Sequence, residues 1–82
     1  MKILETAKFS RLRKKIREVH EREALFDAVQ AIVDDPAAGR YLEGELRDLR
    51  AFKYTVKGQS RRLIYKLEDG TLILFSFGPQ HR

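Results

Sequence analysis

Apolar and polar positions along the chain change period near residue 50. Before that point the spacing is mostly helical. Lys2-Ile3-Leu4-Glu5-Thr6 reads as a short opening strand, and Thr6 is placed to N-cap a helix beginning at Ala7. Phe9, Leu12, Ile16 and Val19 then recur at helical spacing, with Arg11, Arg13, Lys14, Lys15 and Arg17 between them. A second apolar set, Leu25, Phe26, Val29, Ile32 and Val33, runs on to Asp34-Asp35-Pro36, where the proline disfavours helix at the residue before it. At about 100° per residue the two stripes are centred roughly 120° apart, so one straight helix does not bury both on the same surface. The pattern therefore predicts a helical hairpin broken near His20–Glu23, followed by a loop from Pro36 to Glu45.

Beyond residue 50 the period is two. Phe52, Tyr54 and Val56 alternate with Lys53, Thr55 and Lys57, and Gly58-Gln59 reads as a turn into a strand over Arg61–Leu67. Asp69-Gly70 is a strong hairpin signal, and Thr71–Phe77 forms a third strand before Gly78-Pro79. These turns set Thr55 opposite Arg62, Tyr65 opposite Leu74 and Ile64 opposite Phe75. Phe52, Tyr54, Val56, Leu63, Tyr65, Leu67, Leu72 and Leu74 then share the face that receives the helices. The opposite face carries Lys53, Lys57, Arg62 and Lys66 interleaved with Ile64, Ile73, Phe75 and Phe77. The expected fold is α+β: one domain over residues 1–82, with a helical hairpin on a small, mainly antiparallel sheet made of a short first strand and a three-stranded meander.

Charge makes the second face the interesting one. The net charge is +5, and it is polarised: residues 1–22 carry eight basic and three acidic side chains, residues 23–50 three and seven, residues 51–82 six and two. Such a domain favours polyanionic partners. No segment approaches the roughly 18 apolar residues of a membrane span, and the N-terminus does not read as a secretory signal, which points to the cytoplasm and away from membranes. The absence of cysteine excludes disulfides and thiolate metal sites. No His/Asp/Glu cluster has metal-ligand spacing and no glycine-rich phosphate loop is present, so neither metal nor cofactor is expected.

Several segments resemble the toxins of the RelE/ParE superfamily in bacterial type II toxin–antitoxin systems. They are Leu42-Glu43-Gly44-Glu45-Leu46, Leu49-Arg50, Arg62-Leu63-Ile64-Tyr65, the hairpin acids Glu68-Asp69, and Gly78 closing the last strand. The resemblance implies a strand, a helical hairpin and a meander in that order. It also implies a ribosome-dependent endoribonuclease that cuts messenger RNA by attack of a ribose 2′-hydroxyl on the adjacent phosphate, and a cognate antitoxin that binds the toxin in a hetero-oligomer.

Within that resemblance Arg62 takes the place of the family's strand arginine, whose planar fork suits a phosphate with charge spread over several oxygens. Lys53 and Lys57 are candidates for gripping the RNA backbone or accepting a proton, and Glu43 or Glu45 for a carboxylate base. His81 and Arg82 stand where the family places C-terminal catalytic groups, and His81 is a candidate acid. Arg11, Lys14, Lys15 and Lys66 are expected to hold RNA phosphates, and Phe75 and Phe77 to be covered by the antitoxin. The tyrosine found near the end of many family nucleases is absent and Gln80 replaces an expected basic residue, which implies weakened or lost cleavage. Two other readings stay open: a ParE-type gyrase poison, and a non-catalytic RNA-binding or degenerate toxin.

Overall fold

The computed structural model describes residues 1–80. Strand β1 (Lys2–Glu5) leads into α1 (Ala7–Lys14) and α2 (Val19–Asp34), then β2 (Arg40–Tyr41), a single 3-10 turn (Gly44–Leu46), β3 (Arg50–Val56), β4 (Gln59–Glu68) and β5 (Thr71–Pro79). The five strands form one sheet in the order β1-β5-β4-β3-β2. β1 pairs parallel to β5, and all other pairings are antiparallel. The expected α+β class holds, with a two-residue edge strand, β2, added inside the expected loop.

Both helices lie on one face. α1 packs on β5 and α2 on β3, and Phe9, Leu25, Ala28 and Ile32 meet Leu63, Tyr65, Leu72 and Leu74 in one buried cluster. Fully burying such a side chain is worth about 1.5–3 kcal/mol, so this cluster is the main source of stability. Of the expected core face only Leu67 fails: it is 44% exposed at the strand end. Tyr54 and Arg61 lie opposite each other under α2, where Arg61 approaches Glu21 at 3.5 Å. The Tyr54 hydroxyl has no hydrogen-bond partner among the described residues, and burial pushes its pKa up to about 12.

The break between the helices falls at Lys15–Glu18, and His20–Glu23 lies inside α2. Thr6 caps α1 as expected, accepting from the Phe9 amide at 3.1 Å. The unexpected signal is Glu18, the N-cap that starts α2. Its extended backbone ends the link, and its carboxylate accepts from the amides of His20 at 3.1 Å and Glu21 at 3.2 Å. Glutamate is not among the usual capping residues, so the pattern of apolar positions alone put the break too late.

The meander departs from expectation in two places. The β3–β4 turn is Lys57-Gly58, with φ of 51° and 80°, matching Asp69-Gly70 at 50° and 74°. Two-residue hairpins of this hand need left-handed backbone at both positions, and glycine is favoured at the second. Moving the turn by one residue moves every cross-strand partner by two, so Lys53 rather than Thr55 faces Arg62 while each side chain keeps its side. In β5 the register shifts: Tyr65 pairs with Leu74 but Ile64 pairs with Ser76, leaving Phe75 as the extra residue of a bulge. Every later side chain in β5 changes face. Phe77, expected on the basic face, instead packs edge-on against Phe9 with ring centroids 5.1 Å apart.

Candidate nucleic-acid interface

The β3–β4 hairpin carries six cations: Arg50, Lys53, Lys57, Arg61, Arg62 and Lys66. Four are engaged. Lys66 meets Glu68 at 2.7 Å, Arg61 meets Glu21, Lys57 meets Glu18 at 3.7 Å, and Arg50 donates to the carbonyls of Gly39 at 2.8 Å and Ala37 at 3.2 Å. Lys53 and Arg62 have no carboxylate within ion-pair distance among the described residues. They stand directly opposite each other across the ladder, both exposed on the face away from the helices. Like charges in such a pair cost roughly 0.2–1 kcal/mol, which an external anion would reverse. Because both side chains rise from paired strands, their separation is set by the sheet rather than by a loop.

A groove of about 330 Å³ opens beside Arg62. Its floor is Arg62, Ile64, Phe75 and Ser76 from β4 and β5. One wall is formed by Leu42, Leu46 and Leu49, and Thr6 and Lys8 line it at the start of α1. The wall is the loop that contains the family-like Leu-Glu-Gly-Glu-Leu segment, whose leucines therefore turn towards the sheet. Its root is held firmly. Tyr65, buried on the helix side, donates from its hydroxyl to the Pro36 carbonyl at 2.7 Å and accepts from the Gly39 amide at 2.9 Å. Arg50 stacks 3.8 Å above the Tyr41 ring centroid. The Arg62–Tyr65 segment thus serves two faces: Arg62 on the basic surface, and Tyr65 anchoring the loop that flanks it.

The remaining expected site residues divide clearly. Lys57 sits in the hairpin turn and reaches towards Glu18 at the helix link, so the structure separates it from Lys53 and Arg62. Lys66 is held by Glu68, which raises its pKa through a hydrogen bond and charge. Arg11, Lys14 and Lys15 are exposed on α1 and its C-terminal cap, a second basic surface on the helix layer. Phe75 lines the groove, whereas Phe77 belongs to the helix side and is not part of the expected apolar patch. Glu43 and Glu45 are exposed around the 3-10 turn and do not line the Arg62 groove. His81 and Arg82 lie outside the described residues. The leucine wall and Lys8 were not expected; the helical spacing of Lys8 showed only that it lies off the Phe9 stripe. Among the described residues no group of His, Asp or Glu could hold a metal, and no helix is long and apolar enough to cross a membrane.

A helix layer on one face and an unneutralised cationic pair on the other define a small α+β domain with an anion-attracting sheet. The profile of ParE-like toxins of type II bacterial toxin–antitoxin systems matches residues 3–82, and the chain belongs to that family. Among solved structures it is similar to the YoeB/ParE toxin from Agrobacterium tumefaciens, at TM-score 0.81 and 15% identity over 99% of this chain and 100% of that one. It is also similar to a chain of the intact E. coli RelBE toxin-antitoxin complex, at TM-score 0.76 and 18% identity over 99% and 98%. Similarity to YafQ from E. coli has TM-score 0.65 and 23% identity over 95% and 91%. No curated protein matches the sequence.

Proposed function

We propose that this toxin acts on RNA through the Lys53–Arg62 face, as a ribosome-dependent endoribonuclease that arrests translation. The observation that carries the reading is the pair itself: two cations fixed opposite each other without a carboxylate among the described residues. In the proposed reaction a ribose 2′-oxygen attacks the adjacent phosphorus and the bond to the next 5′-oxygen breaks, leaving a cyclic phosphate and a 5′-hydroxyl. The 2′-proton passes to a base and the leaving oxygen takes one up. Arg62 stabilises the charge of the phosphorane through its planar fork. Lys53 is the lysine placed beside it to hold the backbone or accept the proton, and His81 and Arg82 are proposed as proton donor and further cation. Arg11, Lys14 and Lys15 hold structured RNA through phosphate contacts, with Lys66 a weaker contributor because Glu68 occupies it.

The partner is an antitoxin whose acidic, apolar segment covers the Phe75 face, as the toxin fold occurs within a RelBE toxin-antitoxin complex. The ParE-like family profile supports a second reading, gyrase poisoning on the same fold. Single-turnover cleavage of messenger RNA on programmed ribosomes, run beside a gyrase-dependent DNA break assay, separates the two. RNA cuts without DNA breaks are the expected result; DNA breaks without RNA cuts would replace it with the gyrase reading.

A further inference from the structure

We propose that the groove beside Arg62 is a receptor for one unpaired nucleobase, flanking the phosphate that Arg62 holds; this deepens the RNA reading of that face and rests on it. Arg62 belongs both to the cationic pair and to the groove floor, so a strand whose phosphate sits on Lys53 and Arg62 has a base within reach of the groove. The walls offer what a base face needs. Phe75 supplies an aromatic ring, and Leu46, Leu49 and Ile64 supply apolar surface around it. Stacking on such a platform is tolerant of base identity, because every base has a π-face.

The polar groups favour a base over an aliphatic side chain. Lys8 has no carboxylate partner and the Ser76 side chain makes no hydrogen bond among the described residues. A purely aliphatic side chain would bury both without compensation. The acidic antitoxin segment proposed for the Phe75 face covers the groove only in the neutralised complex, so the base occupies it in the free toxin. A nucleobase brings ring and carbonyl acceptors to the ammonium and both donors and acceptors to the hydroxyl. Bases inside an A-form duplex are stacked and cannot enter, so the strand must be single there. The groove thus biases which nucleotide lies next to the scissile phosphate, with Lys8 and Ser76 reading the base edge.

The test is nuclear magnetic resonance titration of the isotope-labelled full chain with each of the four nucleoside 5′-monophosphates and with ribose 5-phosphate. The nucleotides are expected to shift the Leu46, Leu49 and Ile64 methyl signals and to bind about tenfold more tightly than the baseless sugar phosphate, as loss of one stacking contact implies. Leu46→Ala, at a side chain 56% exposed and so dispensable for folding, should erase that difference. Lys8→Gln should flatten the ranking among the four bases. Equal binding of nucleotides and ribose 5-phosphate, with Arg62 signals moving but groove methyls silent, overturns the base receptor and leaves the RNA reading intact. Silence at Arg62 as well overturns both. Groove methyls that respond only to an acidic, apolar peptide would assign the groove to a protein partner and end the proposal.

Discussion

The Thr6 hydroxyl donates to the Phe75 carbonyl at 2.8 Å while accepting from the Phe9 amide at 3.1 Å. One side chain therefore caps α1 and satisfies the carbonyl of the bulge residue, which stands outside the regular β4–β5 pairing. Thr6→Val keeps the shape and removes both bonds. It should cost about 1–3 kcal/mol in urea unfolding, with Thr6→Ser retaining most of the stability. An unchanged midpoint in Thr6→Val would show that the bulge does not depend on the cap.

Gly39 and Tyr65 form the second lock. A Cβ on Gly39 would lie 2.7 Å from the Tyr65 ring and hydroxyl, too close for either to stay in place. Gly39→Ala should destabilise by about 1–3 kcal/mol through overpacking, and Tyr65→Phe by a similar amount through lost hydrogen bonds. Because both changes break the same contact, the double variant should lose less than the two losses added. Full additivity in a double-mutant cycle would refute the lock.

Glu18 predicts a pH dependence. Its hydrogen bonds from the His20 amide and ring, and from the Glu21 amide, hold its carboxyl at about 2, below its ordinary 4.5. A carboxyl depressed on folding stabilises the fold above its unfolded value, and the contribution disappears as pH falls from 4.5 to about 2. Glu18→Gln should therefore lower thermal stability at neutral pH and flatten its decline across that interval. Identical pH profiles for variant and wild type would remove Glu18 as the N-cap of α2.

Arg62 should dominate activity. Arg62→Ala removes a fixed donor from the phosphate site and should lower single-turnover cleavage about 10²–10³-fold, with circular dichroism unchanged because the side chain is exposed. Arg62→Lys should recover only part, since a point charge lacks the fork. Lys53→Ala should weaken RNA retention and cleavage together. Folded Arg62→Ala cutting at the wild-type rate would dismiss this face as the site.

The α1 surface should behave differently. Lys14→Ala should reduce the slope of ribosome affinity against salt by about one phosphate contact, leaving the cleavage step on bound ribosomes unchanged. A loss independent of salt would argue against a backbone contact.

Alternation in the sequence was enough to sort Leu63, Tyr65, Leu72 and Leu74 from Lys53, Arg62 and Ile64, and this sorting survived an error in the turn. The reason is geometric: a two-residue turn displaced by one position moves partners by two and leaves every side chain on its own face. Thr6 and Pro36 likewise marked helix ends through their own backbone and hydrogen-bonding chemistry. What lay beyond the sequence was set by contacts between distant segments. The Lys53–Arg62 pairing needed the turn resolved to the residue, and Lys57 left the face because it is the first residue of that turn, with left-handed backbone, rather than part of β3. The leucine wall depends on a loop rooted by Tyr65, 26 residues further along the chain than Gly39. Phe77 is the sharpest case. Its alternation with Phe75 placed both on one face, but one bulge, held by Thr6 from 69 residues away, reverses the second ring and seats it on Phe9. Local periodicity records which side chains avoid water; only the assembled helix layer and sheet decide where an extra residue is inserted.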